Sequence, residues 1–193
     1  MRDNPRNIIG ILLAAGAGSR FGGDKLLHPL ADGVAIAAHA ARNLFAADLT
    51  VTAVVRPGDF PLADMLEQEG CHVAVCQQAA QGMGASLAHA IRTERNADGW
   101  VVALADMPRI KAATIKRITE AVAAGAAIAA PRFHGTRGHP VGFAARFGDE
   151  LAALTGDSGA RLILERHRDA IVLIDCDDPG VLLDIDARSD LER

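Results

Sequence analysis

Short apolar runs rich in β-branched residues alternate with Ala- and Leu-rich stretches of helical length along the whole chain. The runs at 8–14, 49–55, 71–76, 99–103, 126–131, 140–144 and 170–175 read as strands, with a last short one at 181–185. Helices are expected at 34–46, 60–69, 85–95, 112–124, 147–154 and 159–167, and the charged tail 187–193 as a closing helical turn. Strands that are apolar throughout must be covered on both faces, and a mostly parallel sheet between two layers of helices supplies that cover. The expectation is an α/β fold: one three-layer, doubly wound, Rossmann-like domain spanning 1–193, without linker or repeat.

Composition removes several classes of function. Twenty Lys and Arg against 24 Asp and Glu leave a net charge of −4, so bulk charge cannot hold this chain to nucleic acid. Aromatic residues make up 4 %, with no Tyr, which leaves little to stack on bases. The three cysteines form no Cys-x-x-Cys pair, so a disulfide framework or thiolate zinc site is not expected. The histidines show no metal-binding spacing either. The apolar run 8–15 is too short for a membrane span or a signal peptide. The chain reads as cytoplasmic, with no membrane partner.

In open α/β sheets ligands sit beyond the carboxyl ends of the strands. The first such loop reads Ala14-Ala15-Gly16-Ala17-Gly18-Ser19-Arg20-Phe21-Gly22-Gly23-Asp24-Lys25. It fails the dinucleotide pattern, because Phe21 stands where a third glycine is needed. It also fails the P-loop pattern, because Asp24-Lys25-Leu26 follows Gly23 instead of Lys-Ser/Thr. What remains is a glycine-rich turn able to cradle an anion, with Arg20 as a fork and Lys25 as a point charge for phosphate. A solvated surface loop is the plainer alternative, although Lys25 is one of only three lysines in the chain.

Three later segments also carry polar groups at element ends. Gly82, Gly84 and Ser86 open a helix, where Ser86 fits a cap as well as a ligand contact. Asp106 ends the fourth strand, and suits either a hard cation such as Mg²⁺ or a helix cap. Arg137 and His139 precede a strand and could meet a second anionic substrate, or simply form a turn. Alternation along a strand would put Asp184 and Asp186 on one face. The acidic cluster 175–178 reads as a solvated turn.

The segment Leu13-Ala14-Ala15-Gly16-Ala17-Gly18-Ser19-Arg20-Phe21-Gly22-Gly23-Asp24-Lys25 resembles the signature of nucleotidyltransferases with a GT-A-like, nucleotide-diphospho-sugar transferase fold. Among the MobA-like NTP transferases it is most similar to the molybdenum cofactor cytidylyltransferases of the MocA type. The resemblance implies that Leu13, Ala14, Ala15, Gly16, Gly18, Arg20 and Lys25 wrap a nucleoside triphosphate, with Arg20 and Lys25 on its phosphates. Guanylyl-transferring relatives read Leu-Ala-Gly-Gly at the start, so Ala14-Ala15-Gly16 implies CTP over GTP. Gly82-Met83 with Ser86-Leu87 matches the family's contact to base and ribose, and Asp106-Met107-Pro108 its metal motif. Arg137-Gly138-His139-Pro140 is similar to the cytidylyl group's acceptor segment. Gly156-Asp157 with Gly159-Ala160-Arg161 also matches, implying a cap at Asp157 and a phosphate contact at Arg161. The family's second metal ligand falls on Asp186, but Ala187-Arg188-Ser189-Asp190 replaces the Thr-Pro turn that normally follows.

These matches run in order from Leu13 to Asp186. They imply Mg²⁺-dependent transfer of CMP from CTP to molybdopterin or the molybdenum cofactor, with release of pyrophosphate. Arg20, Lys25 and Asp106 would be catalytic, Asp106 and Asp186 would hold Mg²⁺, and a molybdoenzyme or its maturation factor would receive the product. The rivals are a cytidylyl- or guanylyltransferase acting on a sugar or polyol phosphate, and a non-catalytic carrier of the molybdenum cofactor.

Overall fold

The computed structural model describes residues 6–16 and 21–192. Eight strands form one sheet: β1 (Ile8–Leu13), β2 (Thr50–Val55), β3 (His72–Val75), β4 (Gly99–Leu104), β5 (Ile128–Phe133), β6 (Thr136–Arg137), β7 (Val141–Ala144) and β8 (Ile171–Asp175). Six helices join them: α1 (Ile36–Phe45), α2 (Phe60–Gln68), α3 (Met83–Thr93), α4 (Ala112–Ala123), α5 (Gly148–Ala152) and α6 (Arg161–Arg166). The order is β3-β2-β1-β4-β7-β5, with β6 and β8 both paired to β5. The strands β1 to β4 are mutually parallel where they pair. By contrast, β7 runs antiparallel to β4 and to β5, and β8 returns parallel to β5.

All six residues of β1 are buried, as a strand covered on both faces requires. Its side chains alternate between two cores. Leu12 joins Val51, Leu44, Leu62, Leu66 and Ile118 beneath α1, α2 and α4. Ile11 and Leu13 join Leu87, Ile91, Trp100, Leu151 and Ile163 beneath α3, α5 and α6. These apolar stripes hold the helices to the sheet: truncating a fully buried leucine such as Leu44 costs about 3 kcal/mol. Trp100 satisfies its indole N–H at the Glu94 carbonyl, 3.1 Å away, so the largest core side chain leaves no polar atom stranded.

Four sequence expectations need correction. The segment 181–185 is not a strand. Pro179, which has no N–H to give to a ladder, opens a 3-10 turn over Pro179–Leu182, and the Ile185 N–H goes instead to the Asp106 carbonyl at 2.9 Å. Asp184 and Asp186 therefore share no strand face. The stretch between the strands expected at 126–131 and 140–144 holds one more, because Thr136–Arg137 turns back on Arg132 and Phe133 as β6. The acidic turn is not solvated throughout: Asp178 is 1 % exposed and caps the start of the 3-10 turn through Gly180. The tail does form the expected closing helical turn, as a 3-10 turn over Arg188–Glu192. None of the described helices is long and apolar enough to cross a membrane.

Candidate active site

The chain leaves β1 toward β2 and β3, and leaves β4 toward the other side of the sheet, so the crevice between the carboxyl ends of β1 and β4 is the switch point of the fold. Backbone pairing continues just past both strands, with Ala14 N–H donating to Val54 and Ala105 N–H to Leu13 at 2.9 and 3.1 Å. Beyond that the two chains part, and a cavity of about 730 Å³ opens between them. This lies within the range of small-molecule sites, roughly 300–1,000 Å³.

Lys25 forms one edge of this cavity. It stands in a 3-10 turn, Lys25–Leu27, and is 9 % exposed. Its Nζ donates to Asp106 Oδ2 at 2.8 Å and lies 3.6 Å from Asp186 Oδ1. A buried ammonium is costly unless paired, and two carboxylates supply the pairing. The group of three carries one net negative charge and four carboxylate oxygens. That donor set fits a hard divalent cation such as Mg²⁺, which takes one or two carboxylates and fills its remaining positions from phosphate and water. No cluster of three or more Asp, Glu, His or Cys suited to a metal occurs among the described residues.

The missing Thr-Pro turn has a structural substitute. The Asp190 carboxylate accepts from the N–H groups of Asp186 and Ala187, at 3.1 and 2.8 Å. Arg109 in turn donates to the carbonyls of Asp190 and Leu191. Ile185 is fully buried with Phe21 and Ile36, a small apolar cluster that ties the first loop, α1 and the tail together just below Lys25 and Asp186.

The other expected residues divide by position. Leu13, Ala15, Gly16, Gly82 and Ser86 line the cavity with Lys25 and Asp106. Ala14 is 1 % exposed and faces the core. Gly18 and Arg20 lie outside the described residues. A Cβ at Gly84 would come within 2.6 Å of the Thr155 carbonyl, and one at Gly82 would collide with Asp157 and the Gly156 backbone. Both glycines thus admit the chain's own 155–157 loop, locked by a 2.7 Å bond from Gly84 N–H to the Gly156 carbonyl. That loop brings Asp157 to the cavity wall.

Arg137 is exposed on β6. His139 is pinned through its N–H to the Val181 carbonyl at 2.9 Å, and its Nδ1 is buried with no hydrogen-bond partner among the described residues. Burial, and then Arg137, hold the imidazole below its ordinary pKa, while the Asp106 and Asp184 carboxylates act in the opposite direction. Neither Arg137 nor His139 lines the cavity. Arg161 is set apart from these: it is solvent-facing and paired with Glu165 at 2.7 Å on its own helix.

Sequence reasoning passed over Arg56, Asp59 and Gln77, which also line the cavity. They follow β2 and β3 directly, so the strand-end rule applied to every strand would have found them.

Comparison with known proteins finds relatives along most of the chain. The chain is 29 % identical over 191 residues to the purine catabolism protein PucB of Bacillus subtilis (strain 168), covering 93 % of this chain and 91 % of that one. It is 28 % identical over 195 residues to the nicotine blue oxidoreductase of Paenarthrobacter nicotinovorans, covering 96 % and 95 %. The crystal structure of Rv0371c from Mycobacterium tuberculosis H37Rv superposes with a TM-score of 0.83 at 27 % identity, covering 98 % and 97 %. A manganese complex of the same protein gives 0.80 at 26 %, covering 98 % of each chain. With residues 10–171 matching the MobA-like NTP transferase domain, the chain belongs to that family of nucleotidyltransferases.

Proposed function

We propose that this protein transfers CMP from CTP to the terminal phosphate of molybdopterin in the molybdenum cofactor, with Mg²⁺ and release of pyrophosphate. The observation that carries the reading is the Lys25 ammonium held between Asp106 and Asp186 at the edge of a nucleotide-sized cavity. Manganese in the related Rv0371c structure supports a divalent cation, and the Ala14-Ala15-Gly16 sequence supports CTP.

An oxygen of the acceptor phosphate attacks the α-phosphorus of CTP. The new P–O bond forms as the bond to the β-phosphate oxygen breaks, and pyrophosphate departs with that electron pair. A phosphate monoester has a second pKa of about 6, so the nucleophile is already ionised and no general base is needed. The work left to the protein is to bring two anions together and offset their charge. Lys25 holds the triphosphate beside Asp106, and Arg20 does the same from the first loop. Gly16, Met83 and Ser86 line the cavity beside the nucleotide. Asp106 and Asp186 would hold Mg²⁺, which supplies charge neutralisation at the reacting phosphates. Arg137, exposed on β6, and His139, whose Nδ1 has no hydrogen-bond partner among the described residues, would meet the acceptor.

The test is pyrophosphate release with Mg²⁺ and CTP, GTP, ATP or UTP in turn, with and without molybdenum cofactor. Release with CTP and cofactor together is expected. Release only with a sugar or polyol phosphate, or only with GTP, would keep the transferase and overturn the substrates. Bound cofactor without release from any nucleotide would favour a carrier.

A further inference from the structure

Arg56 and Asp59 stand in the loop that leaves β2, and both line the cavity. Arg56 Nη2 lies 2.9 Å from Asp59 Oδ2, with Asp59 12 % and Arg56 37 % exposed. The covered carboxylate fixes one nitrogen of a planar group that has five N–H donors.

Two features say what this guanidinium meets. The first is position. The strand order β2-β1-β4 puts the end of β2 two strands from Asp106, roughly 10 Å at the usual strand spacing. A ribose sets a base about that far from its own α-phosphate. The second is charge. Arg56 and Asp59 together are neutral, which makes them a poor clamp for a triphosphate but a rigid set of donors for an uncharged ring. Lys25, beside Asp106, already supplies the cation at the phosphate end.

We infer that Arg56, positioned by Asp59, is the residue that selects the base, its fork donating to O2 and N3 of cytosine. This rests on the reading of the site as a CTP site. Cytosine offers two neighbouring acceptors on that edge. Uracil carries an N–H at N3, so it sets a donor against a donor there. A site built to give hydrogen bonds rejects a base that cannot accept them, because its own donors are left unpaired.

Calorimetric titration of CMP and UMP into wild type, Arg56→Lys and Arg56→Gln tests this without any reaction. Wild type is expected to favour CMP, and both variants to lose about 10- to 100-fold in CMP affinity together with the preference. Arg56→Lys keeps the charge and loses the fork, so retention of the preference in that variant would overturn the inference. Circular dichroism confirms folding of each variant, and Asp59→Asn, which loosens the fork while leaving Arg56 in place, should weaken the preference partway. If wild type favours CMP and every variant still does, the assignment of Arg56 fails and the CTP reading stands. If wild type favours another nucleotide, both fall.

Discussion

The Nζ of Lys25 sits 2.8 Å from Asp106 Oδ2, although the two residues are 81 positions apart in sequence. The contact joins the loop after β1 to the end of β4, and it puts a fixed cation where a divalent ion would otherwise face two carboxylates. Lys25→Met removes that cation. Turnover should fall about 10²- to 10³-fold, the usual loss when one charge-stabilising donor is taken from a reacting centre. Yet Mn²⁺ binding in the absence of nucleotide should tighten, because the ammonium no longer competes with the ion for the Asp106 carboxylate. Mn²⁺ titration by electron paramagnetic resonance checks the second half, and weaker binding in the variant would contradict it.

Asp190 holds the turn that aims Asp186, through the N–H groups of Asp186 and Ala187. Asp190→Ala should free that turn and raise the Mg²⁺ concentration needed for half-maximal rate about 10-fold, in keeping with caps worth about 1 kcal/mol. Asp190→Asn keeps an acceptor oxygen and should recover most of the loss. A rate-against-Mg²⁺ curve for the two variants separates this from general destabilisation.

Asp178 is buried and accepts from three donors: Lys111 N–H at 2.9 Å, Thr114 Oγ1 at 2.7 Å and Gly180 N–H at 3.1 Å. It therefore ties the start of α4 to the segment that leads to Asp186. Asp178→Ala strands all three donors and should cost about 3 kcal/mol in urea unfolding. Thr114→Val, which removes one donor and leaves the carboxylate two others, should cost less.

Much of this architecture was legible because it rests on local pattern. Ile8–Leu13 and Gly99–Leu104 are apolar on both faces and could only be central strands, and Lys25 and Asp106 follow them. What escaped depends on distant partners. Asp178 lies in a run of acidic residues that looks solvated, and two of its three donors, Lys111 and Thr114, are more than 60 positions away. Thr136 and Arg137 are two exposed residues in a glycine-rich stretch, with no apolar signal to mark a strand. Arg56 and Asp59 read as an ordinary helix entrance until the sheet order brings the end of β2 beside that of β1.

Gly84 lies in the first turn of α3, and the 155–157 loop rests directly on it. Gly84→Ala sets a methyl against the backbone of Thr155 and Gly156, neither of which is a flexible side-chain end. Overpacking of this kind costs about 1–3 kcal/mol, and here it also displaces Asp157 and the cavity wall. Lowered stability together with weakened nucleotide binding is expected. Unfolding and nucleotide titration measured on the same variant would show whether the two losses travel together.

His139 gives stability a pH dependence of definite sign. Burial, and then Arg137, lower its pKa in the folded protein below the ordinary 6.5, and Asp106 and Asp184 only partly oppose them. The unfolded chain therefore binds the proton more readily, so this contribution is fully present above pH 6.5 and is lost as pH falls through the lower folded value. His89, depressed by burial and by Arg92, adds a slope of the same sign. The comparison is accordingly between wild type and His139→Gln. Urea unfolding from pH 7.5 down to 5 should show the variant losing less stability than wild type across that window. Equal losses in the two proteins would mean that His139 takes up its proton as easily folded as unfolded.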